Sequence, residues 1–243
     1  MRRFFIDKQA IKDKSVIITG KEVHHIVDVI RLKVGDRFLG FDGMGKIYTL
    51  CIKRLSDEEV EAVIEKASSA KPDASKIMLA CAIPKARKIE YIIEKATELG
   101  VSDIVPMITE RTIVKISDED RKLKRKRWEN IALEASKQCG RNNLPKIHDV
   151  VDLKKAIELT DRLGYKKKIL PCLSEGTKEL KEVKFAGIKE AAIFIGPEGD
   201  FTDKEIDFAR KAGFEMVSLG PLVLKVDTAC IFTISIIRES CEG

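Results

Sequence analysis

The hydrophobic pattern of this chain changes period once, near residue 70, and that change limits it to two unlike domains. Before it, "SVIITG", "RFLGFDG", "KIYTLCIKRL" and "EVEAVIEKA" are short β-type runs separated by Gly, Asp or charged turns. One insert departs from them. "KEVHHIVDVIRL" sets Val23, Ile26, Val27 and Ile30 at helical spacing, which predicts a single helix within a small barrel-like module. The stretch "SSAKPDASK", 68–76, is small, polar and proline-bearing, and reads as a linker. Beyond it strands alternate with helices, the signature of an α/β domain with a mostly parallel sheet. The expected domains are therefore 1–70 and 74–243.

In the second domain "KIMLACAIP" reads as a buried strand. "KARKIEYIIEKATELG" reads as a helix with Ile89, Ile92, Ile93, Ala96 and Leu99 on one face and Gly100 as its stop. "VSDIVPMIT" gives the next strand. "RKLKRKRWENIALEASKQCG" gives a helix whose apolar stripe is Trp128, Ile131, Ala132, Ala135 and Cys139. "KKKILPCLSE", "AAIFIGPEG" and "FEMVSLGPLVLK" are further strands, each running directly into a loop. In open α/β sheets ligands gather at such carboxyl ends.

Composition narrows the classes. With 44% apolar and 35% charged residues over 243 positions, a folded core is expected rather than disorder. No apolar run reaches membrane-spanning length, and the start meets Asp7 and Lys8 before a signal-like core could form, so a cytoplasmic protein is expected. The six cysteines are scattered without a C-x-x-C pair, which indicates neither a disulfide framework nor a metal site. The net charge of +6 is modest, but basic residues cluster locally, as polyanion binding requires.

Two loops carry chemical information. In "IGPEGDFTDKEI", Thr202 and Glu205 have capping-box spacing, so a helix should start just after the Gly-Pro-Glu-Gly turn. A glycine turn before a helix ordinarily suits phosphate, yet Glu198, Asp200 and Asp203 crowd this one. Either it is simply a well-made turn, or it takes a neutral or cationic ligand such as a sulfonium or an ammonium. In "SLGPLVLKVDTACIFTISII", the leucines after Gly220-Pro221 either form an ordinary strand and loop or wall a flat, adenine-like ring. The helix from Thr228 to Ile237 is apolar nearly all round and must be covered by the core or by another subunit. No Walker-type loop is present, which leaves nucleotide hydrolysis without support.

Six fragments in order, "MRRFFI", "EVHHIVDVIRLKVGD", "IEKATELGV", "EASKQCGRNNLP", "IGPEGDFTDKEI" and "LGPLVLKVDTA", resemble the bacterial 16S ribosomal RNA (uracil-N3)-methyltransferases of the SPOUT superfamily. The resemblance covers almost the whole chain. It implies an N-terminal PUA-like β-barrel, a C-terminal SPOUT-type α/β domain with a trefoil knot, a homodimer, S-adenosylmethionine as cofactor, and 16S rRNA or the small ribosomal subunit as partner. By similarity three loops hold the cofactor: Leu173 and Ser174; Ile195, Gly196, Glu198 and Gly199; and Leu219, Gly220, Leu222, Val223 and Leu224. Thr228 and Ala229 close the knot. Where relatives read Leu-Gly-x-Arg-Ile-Leu-Arg-x-Glu-Thr-Ala, this chain has Leu222, Lys225 and Asp227 in place of two arginines and a glutamate.

Methylation at uracil N3 requires loss of the ring proton, so a cation near the developing anion would help. Arg141 is the candidate cation, or else a phosphate contact or a surface residue. Asp227 is a proton acceptor, a partner that orients Lys225, or a helix N-cap. Arg2, Arg3, His24, His25, Arg31, Lys85, Lys88 and Arg111 are the expected RNA-binding residues, whereas the run "RKLKRKR" reads as a solvated helical face. The competing readings are a non-catalytic RNA-binding or ribosome-assembly module and a SPOUT methyltransferase acting on another RNA.

Overall fold

The computed structural model describes residues 2–86 and 88–242, with the side chains of all but Asp118 and Glu242. It divides into two compact units. The first is Met1–Pro72 together with Ser136–Leu144, and the second is Asp73–Ala135 together with Pro145–Gly243. Nothing in the sequence signals that 136–144 should group with the N-terminal residues.

The first unit contains β1 (Arg3–Phe5), β2 (Ile11–Lys12), β3 (Ser15–Thr19), α1 (Lys21–His24), β4 (Arg37–Phe41), β5 (Lys46–Leu55) and β6 (Glu59–Ser69). The strands form one six-stranded sheet in the order β1-β4-β5-β6-β3-β2, antiparallel except for β1 with β4. β5 and β6 make a long hairpin with irregularities at Thr49/Leu50 and Ile52/Arg54, where extra residues bend the ladder and give it barrel-like curvature. The expected helical insert is shorter than its apolar spacing predicts. α1 has four residues and passes into a single π-type turn over His25–Val29. Val23 and Ile26 are buried from it into a core with Phe4, Phe38, Leu50 and Ile52.

The second unit contains β7 (Lys76–Ala82), α2 (Lys88–Glu98), β8 (Asp103–Ile108), α3 (Asp118–Cys139), β9 (Lys146–Ile147), β10 (Val151–Asp152), α4 (Leu153–Arg162), β11 (Lys167–Pro171), β12 (Lys178–Glu179), β13 (Glu190–Ile195), α5 (Asp203–Lys211), β14 (Glu215–Ser218) and α6 (Val226–Glu242), with the last turn of α3 counted in the first unit. Arg87, within the helix expected over 85–100, lies outside the described residues.

All strand pairs of this sheet are parallel, in the order β10-β8-β7-β13-β11-β14-β12, with β9 beside β8. Alternation along each strand separates two faces. Ile77, Leu79, Cys81, Ile193 and Ile195 pack with Ile92 and Ile93 of α2, Trp128 of α3 and Cys230, Ile234 and Ile237 of α6. Met78, Ala80, Ala192 and Phe194 pack with Ala156 and Ile157 of α4 and Ile206 and Ala209 of α5. With both faces covered, the strands read as near-continuous apolar runs. Among the described residues no helix is long and apolar enough to cross a membrane.

Candidate functional site

β13, β11 and β14 are neighbours in the sheet, so the loops that leave their carboxyl ends are neighbours too. Between them lies a cavity of about 260 Å³. The β11 loop contributes Pro171, Cys172 and Leu173; the β13 loop Ile195, Gly196, Pro197, Glu198 and Asp200; and the β14 loop Ser218, Leu219, Gly220, Leu222, Val223, Leu224 and Lys225, with Val226 and Ala229 of α6 beneath. Of the residues expected from resemblance, Ser174, Gly199 and Thr228 do not line it. Cys172 and Lys225 do, although the sequence did not single them out as holding a ligand, and so does Asp200, one of the carboxylates expected to crowd the turn.

The β13 turn is fixed from three directions. Glu198 Oε1 accepts a hydrogen bond from the Lys85 amide at 3.0 Å. Arg111 Nη1 donates to the Gly199 carbonyl at 2.7 Å and to the Phe201 carbonyl at 3.3 Å. Asp200, in the left-handed region at φ 59°, accepts from the Phe201 amide with one oxygen and from the Leu173 amide with the other, both at 2.8 Å. Asp200 therefore ties the β11 loop to the β13 loop. The helix start beyond the turn is a reciprocal capping box, with the Thr202 side chain bonded to the Glu205 amide and Glu205 bonded back to the Thr202 amide. The other Glu205 oxygen accepts from the Glu110 amide at 2.9 Å.

The acidity of this turn thus has a structural use, but it remains electrostatically active. Glu198 and Asp200 bond to neutral amides and have no ion-pair partner among the described residues, so the cavity wall keeps its negative charge. Leu222 and Val223, which also line the cavity, are about three-quarters exposed, as is much of Leu173. Exposed apolar side chains in a cleft that also carries carboxylates fit a ligand that is part flat and apolar, part cationic. That chemistry matches adenosine joined to a sulfonium.

Asp227 lies in the first turn of α6, with the Lys88 ammonium 3.2 Å from Oδ1 and 3.4 Å from Oδ2. It pairs with Lys88 rather than orienting Lys225, and it lies inside the helix rather than at its N-cap. Burial pushes its carboxyl up, but the Lys88 contact and the amides of Asp227 and Thr228 outweigh this and hold it below the ordinary carboxylate range. A carboxylate so stabilised is a poor proton acceptor.

Several of the expected RNA-binding residues are engaged elsewhere. Lys88 is on Asp227, and Arg111 braces the β13 turn. Arg3 donates through Nη2 to the Arg141 carbonyl at 3.1 Å and to Asn142 Oδ1 at 2.7 Å, with its guanidinium 5.0 Å from the Phe41 ring centre. His25 packs edge-on against Phe4, His24 Nδ1 lies 2.6 Å from Asp28, and Arg31 Nε reaches the Asp28 carbonyl at 3.4 Å. Arg2 and Lys85 have exposed side chains. Arg141 belongs to the first unit and is half-buried. In the run 121–127, Arg125 pairs with Glu129 and Asp149, and Arg127 with Glu90, as a solvated helical face would.

Comparison with known proteins decides the family. Residues 71–238 match the RNA methyltransferase domain family and residues 18–65 the RNA methyltransferase PUA domain family. Ribosomal RNA small subunit methyltransferase E of Bacillus subtilis is 32% identical over 100% of this chain and 98% of its own. The chain belongs to the ribosomal RNA small subunit methyltransferase E family. A member of that family from Neisseria gonorrhoeae, solved with bound S-adenosyl methionine, superposes with a TM-score of 0.85 at 26% identity, covering 98% of this chain and 97% of the other. A Legionella pneumophila protein solved with bound SAM gives 0.87 at 31% identity, covering 98% and 96%. Within this family the acid-lined cleft between the β11, β13 and β14 loops has an evident ligand class.

Proposed function

We propose that this chain transfers a methyl group from S-adenosylmethionine to N3 of a uridine in 16S rRNA of the small ribosomal subunit. The coarser activity, S-adenosylmethionine-dependent methylation of ribosomal RNA, follows from the family. The observation that carries the cofactor reading is the cleft itself. The loops of β11, β13 and β14 line it with main chain at glycine and proline turns, with apolar side chains at Leu173, Leu222 and Val223 and carboxylates at Glu198 and Asp200 that have no ion-pair partner among the described residues. When bound, the cofactor supplies an electrophilic methyl on a positively charged sulfur.

The chain's own residues would do the rest. Backbone amides and carbonyls of the three loops hold the adenine edge, and the departures at Leu222 and Lys225 leave those groups in place. Glu198 and Asp200 favour a cationic ligand electrostatically. The N3 proton passes to solvent water, leaving a uracil anion that a cation would stabilise; Arg141 is the candidate for that cation. The depressed basicity of Asp227 suits it to holding Lys88 rather than accepting the proton. The PUA-like first unit positions RNA through phosphate contacts, with Arg2 exposed for that task.

The dimer and the trefoil knot belong to the same reading. α6 packs on α2, β7 and β13, yet Phe232 on α6 and Tyr91 on α2 remain exposed, an apolar surface that a second copy would cover. A ribosomal RNA substrate supports a cytoplasmic location for the protein.

The test is methyl transfer from labelled cofactor to small subunits lacking the modification, with the product mapped by its block to Watson–Crick pairing. Transfer to a uridine N3 is expected. Transfer to a different base or position would replace the substrate assignment, and cofactor binding with no transfer to any ribosomal RNA would favour the non-catalytic reading.

A further inference from the structure

Residues 140–144 are built into the first unit as part of one rigid platform. The turn between β4 and β5 runs Asp42-Gly43-Met44-Gly45. Asp42 Oδ1 accepts from the Met44 amide at 2.8 Å and from the Lys46 amide at 3.0 Å. The segment after α3 is laid against it. Met44 and Asn143 form an antiparallel bridge, the Gly45 amide donates to the Asn142 carbonyl at 3.2 Å, and the Leu144 amide donates to the Gly43 carbonyl at 2.9 Å. Arg3 fastens the far side through the Arg141 carbonyl and the Asn142 side chain.

Glycine is required on both sides of Met44. Gly43 and Gly45 have φ of 72° and 94°, and a Cβ there would come within 2.6 Å of Leu144 Cδ1 and 2.8 Å of Asn143 Oδ1. The result is a turn held by at least five hydrogen bonds to its own ends and to the Arg141 segment, with a methionine at its tip that is 70% exposed. Val29, Val34 and Met44 are the exposed large apolar side chains of this unit among the described residues, and Met44 is the one bridged to the segment of Arg141. Lys46, at the end of the turn, is exposed and positive, while Asp42 is buried.

We propose that Met44 is an apolar wedge that enters the base stack vacated by the target uridine, a positioning role for the transfer reaction that rests on the rRNA reading above. Uracil N3 lies on the pairing edge of the base, so the base must leave its pair or stack before a methyl can reach it. Proteins that kink nucleic acid insert an apolar side chain, such as Leu, Ile, Met or Phe, between base steps and hold the gap open with it. Met44 has that chemistry and is presented from a hydrogen-bonded turn beside Lys46. It is long enough to reach between bases, and it contributes nothing to the core.

The test compares single-turnover methyl transfer to small subunits by the unaltered chain and by Met44→Ala, Met44→Gln and Met44→Leu, with melting temperature and S-adenosylmethionine affinity measured on each. Alanine and glutamine should each slow transfer by about tenfold or more, with cofactor affinity and melting temperature unchanged, and leucine should restore most of the rate. If alanine transfers as fast as the unaltered chain, or glutamine as fast as leucine, the wedge is overturned. If the unaltered chain itself transfers nothing to small subunits, the rRNA reading falls and the wedge with it, an outcome separable from the others because it needs no variant.

Discussion

The two ends of the parallel sheet use polar groups in opposite ways. At the carboxyl end, charged side chains hold loops open around a cleft. Asp200, Glu198 and Arg111 bond to main-chain groups of neighbouring loops, and apolar side chains stay exposed. At the amino end, charge is closed in. Asp103, the first residue of β8, is buried with His148 Nε2 2.6 Å from Oδ1 and the Tyr165 hydroxyl donating to Oδ2 at 2.5 Å, while Lys76 Nζ lies 3.6 Å away. One end is arranged for binding and the other for cohesion. The division teaches that a buried polar network and a functional site can share one sheet without sharing residues.

The largest expected effect breaks the cohesive end. Asp103→Ala removes the acceptor for two buried groups, and one orphaned partner of a buried pair typically costs about 3–5 kcal/mol. The melting temperature should fall by on the order of 10 °C while cofactor affinity in the folded protein is kept. Acid sharpens the same point. Burial pushes the Asp103 carboxyl up, but its bonds to His148 and Tyr165 and the nearby charges outweigh this and hold it below the ordinary value. Its contribution is therefore complete above the unfolded carboxyl range, about pH 4. It is lost as pH falls through the lower folded value. A melting series from pH 6 to about pH 2 should show a decline below about pH 4 that is shallower in Asp103→Asn.

Next in size is the binding end. Asp200→Ala cuts the tie between the β11 and β13 loops and removes a cleft carboxylate, and S-adenosylmethionine affinity should drop by about tenfold or more, some 1.4 kcal/mol, with little change in melting. Arg111→Met removes one of three braces on the β13 turn, from outside the cleft, and should weaken the cofactor by about threefold, the remaining bonds keeping most of the turn in place. The smallest effect belongs to Lys88→Met. The pair with Asp227 is partly exposed, so stability should change by less than about 1 kcal/mol in a denaturant titration.

Much of this comparison was legible in residue patterns. The apolar runs of β7, β8, β11 and β13 and the stripes of α2 and α3 announce a two-faced parallel sheet, and Thr202 with Glu205 announces the start of α5. α4 was overlooked rather than hidden. In "LKKAIELTDR" Leu153, Ala156, Ile157 and Thr160 recur at helical spacing, and Asp152 caps the start by accepting from the Lys155 amide. The strand in "FEMVSLGPLVLK" ends at Ser218, where Leu219-Gly220-Pro221 leads the chain into the loop as its sequence indicates. The π-type turn after α1 shortens a helix that spacing alone extends to Ile30.

The cleft residues could be named from their loops, but the braces could not. Lys85 with Glu198 is 113 residues apart, Arg111 with Gly199 is 88, and Arg3 with Asn142 is 139. A basic residue near a strand end looks the same in sequence whether it waits for phosphate or holds a carbonyl. Tertiary pairing makes that choice, and here it turns Arg3, Lys88 and Arg111 inward.

The most direct test of the division between the two ends is a parallel calorimetric titration of S-adenosylmethionine into the unaltered chain, Asp200→Ala and Asp103→Asn, each with its melting curve. The account predicts that Asp200→Ala loses affinity and keeps its melting temperature, while Asp103→Asn melts earlier and binds as the unaltered chain does. Equal affinity in Asp200→Ala and the unaltered chain, or a matching loss of affinity in Asp103→Asn, would contradict it.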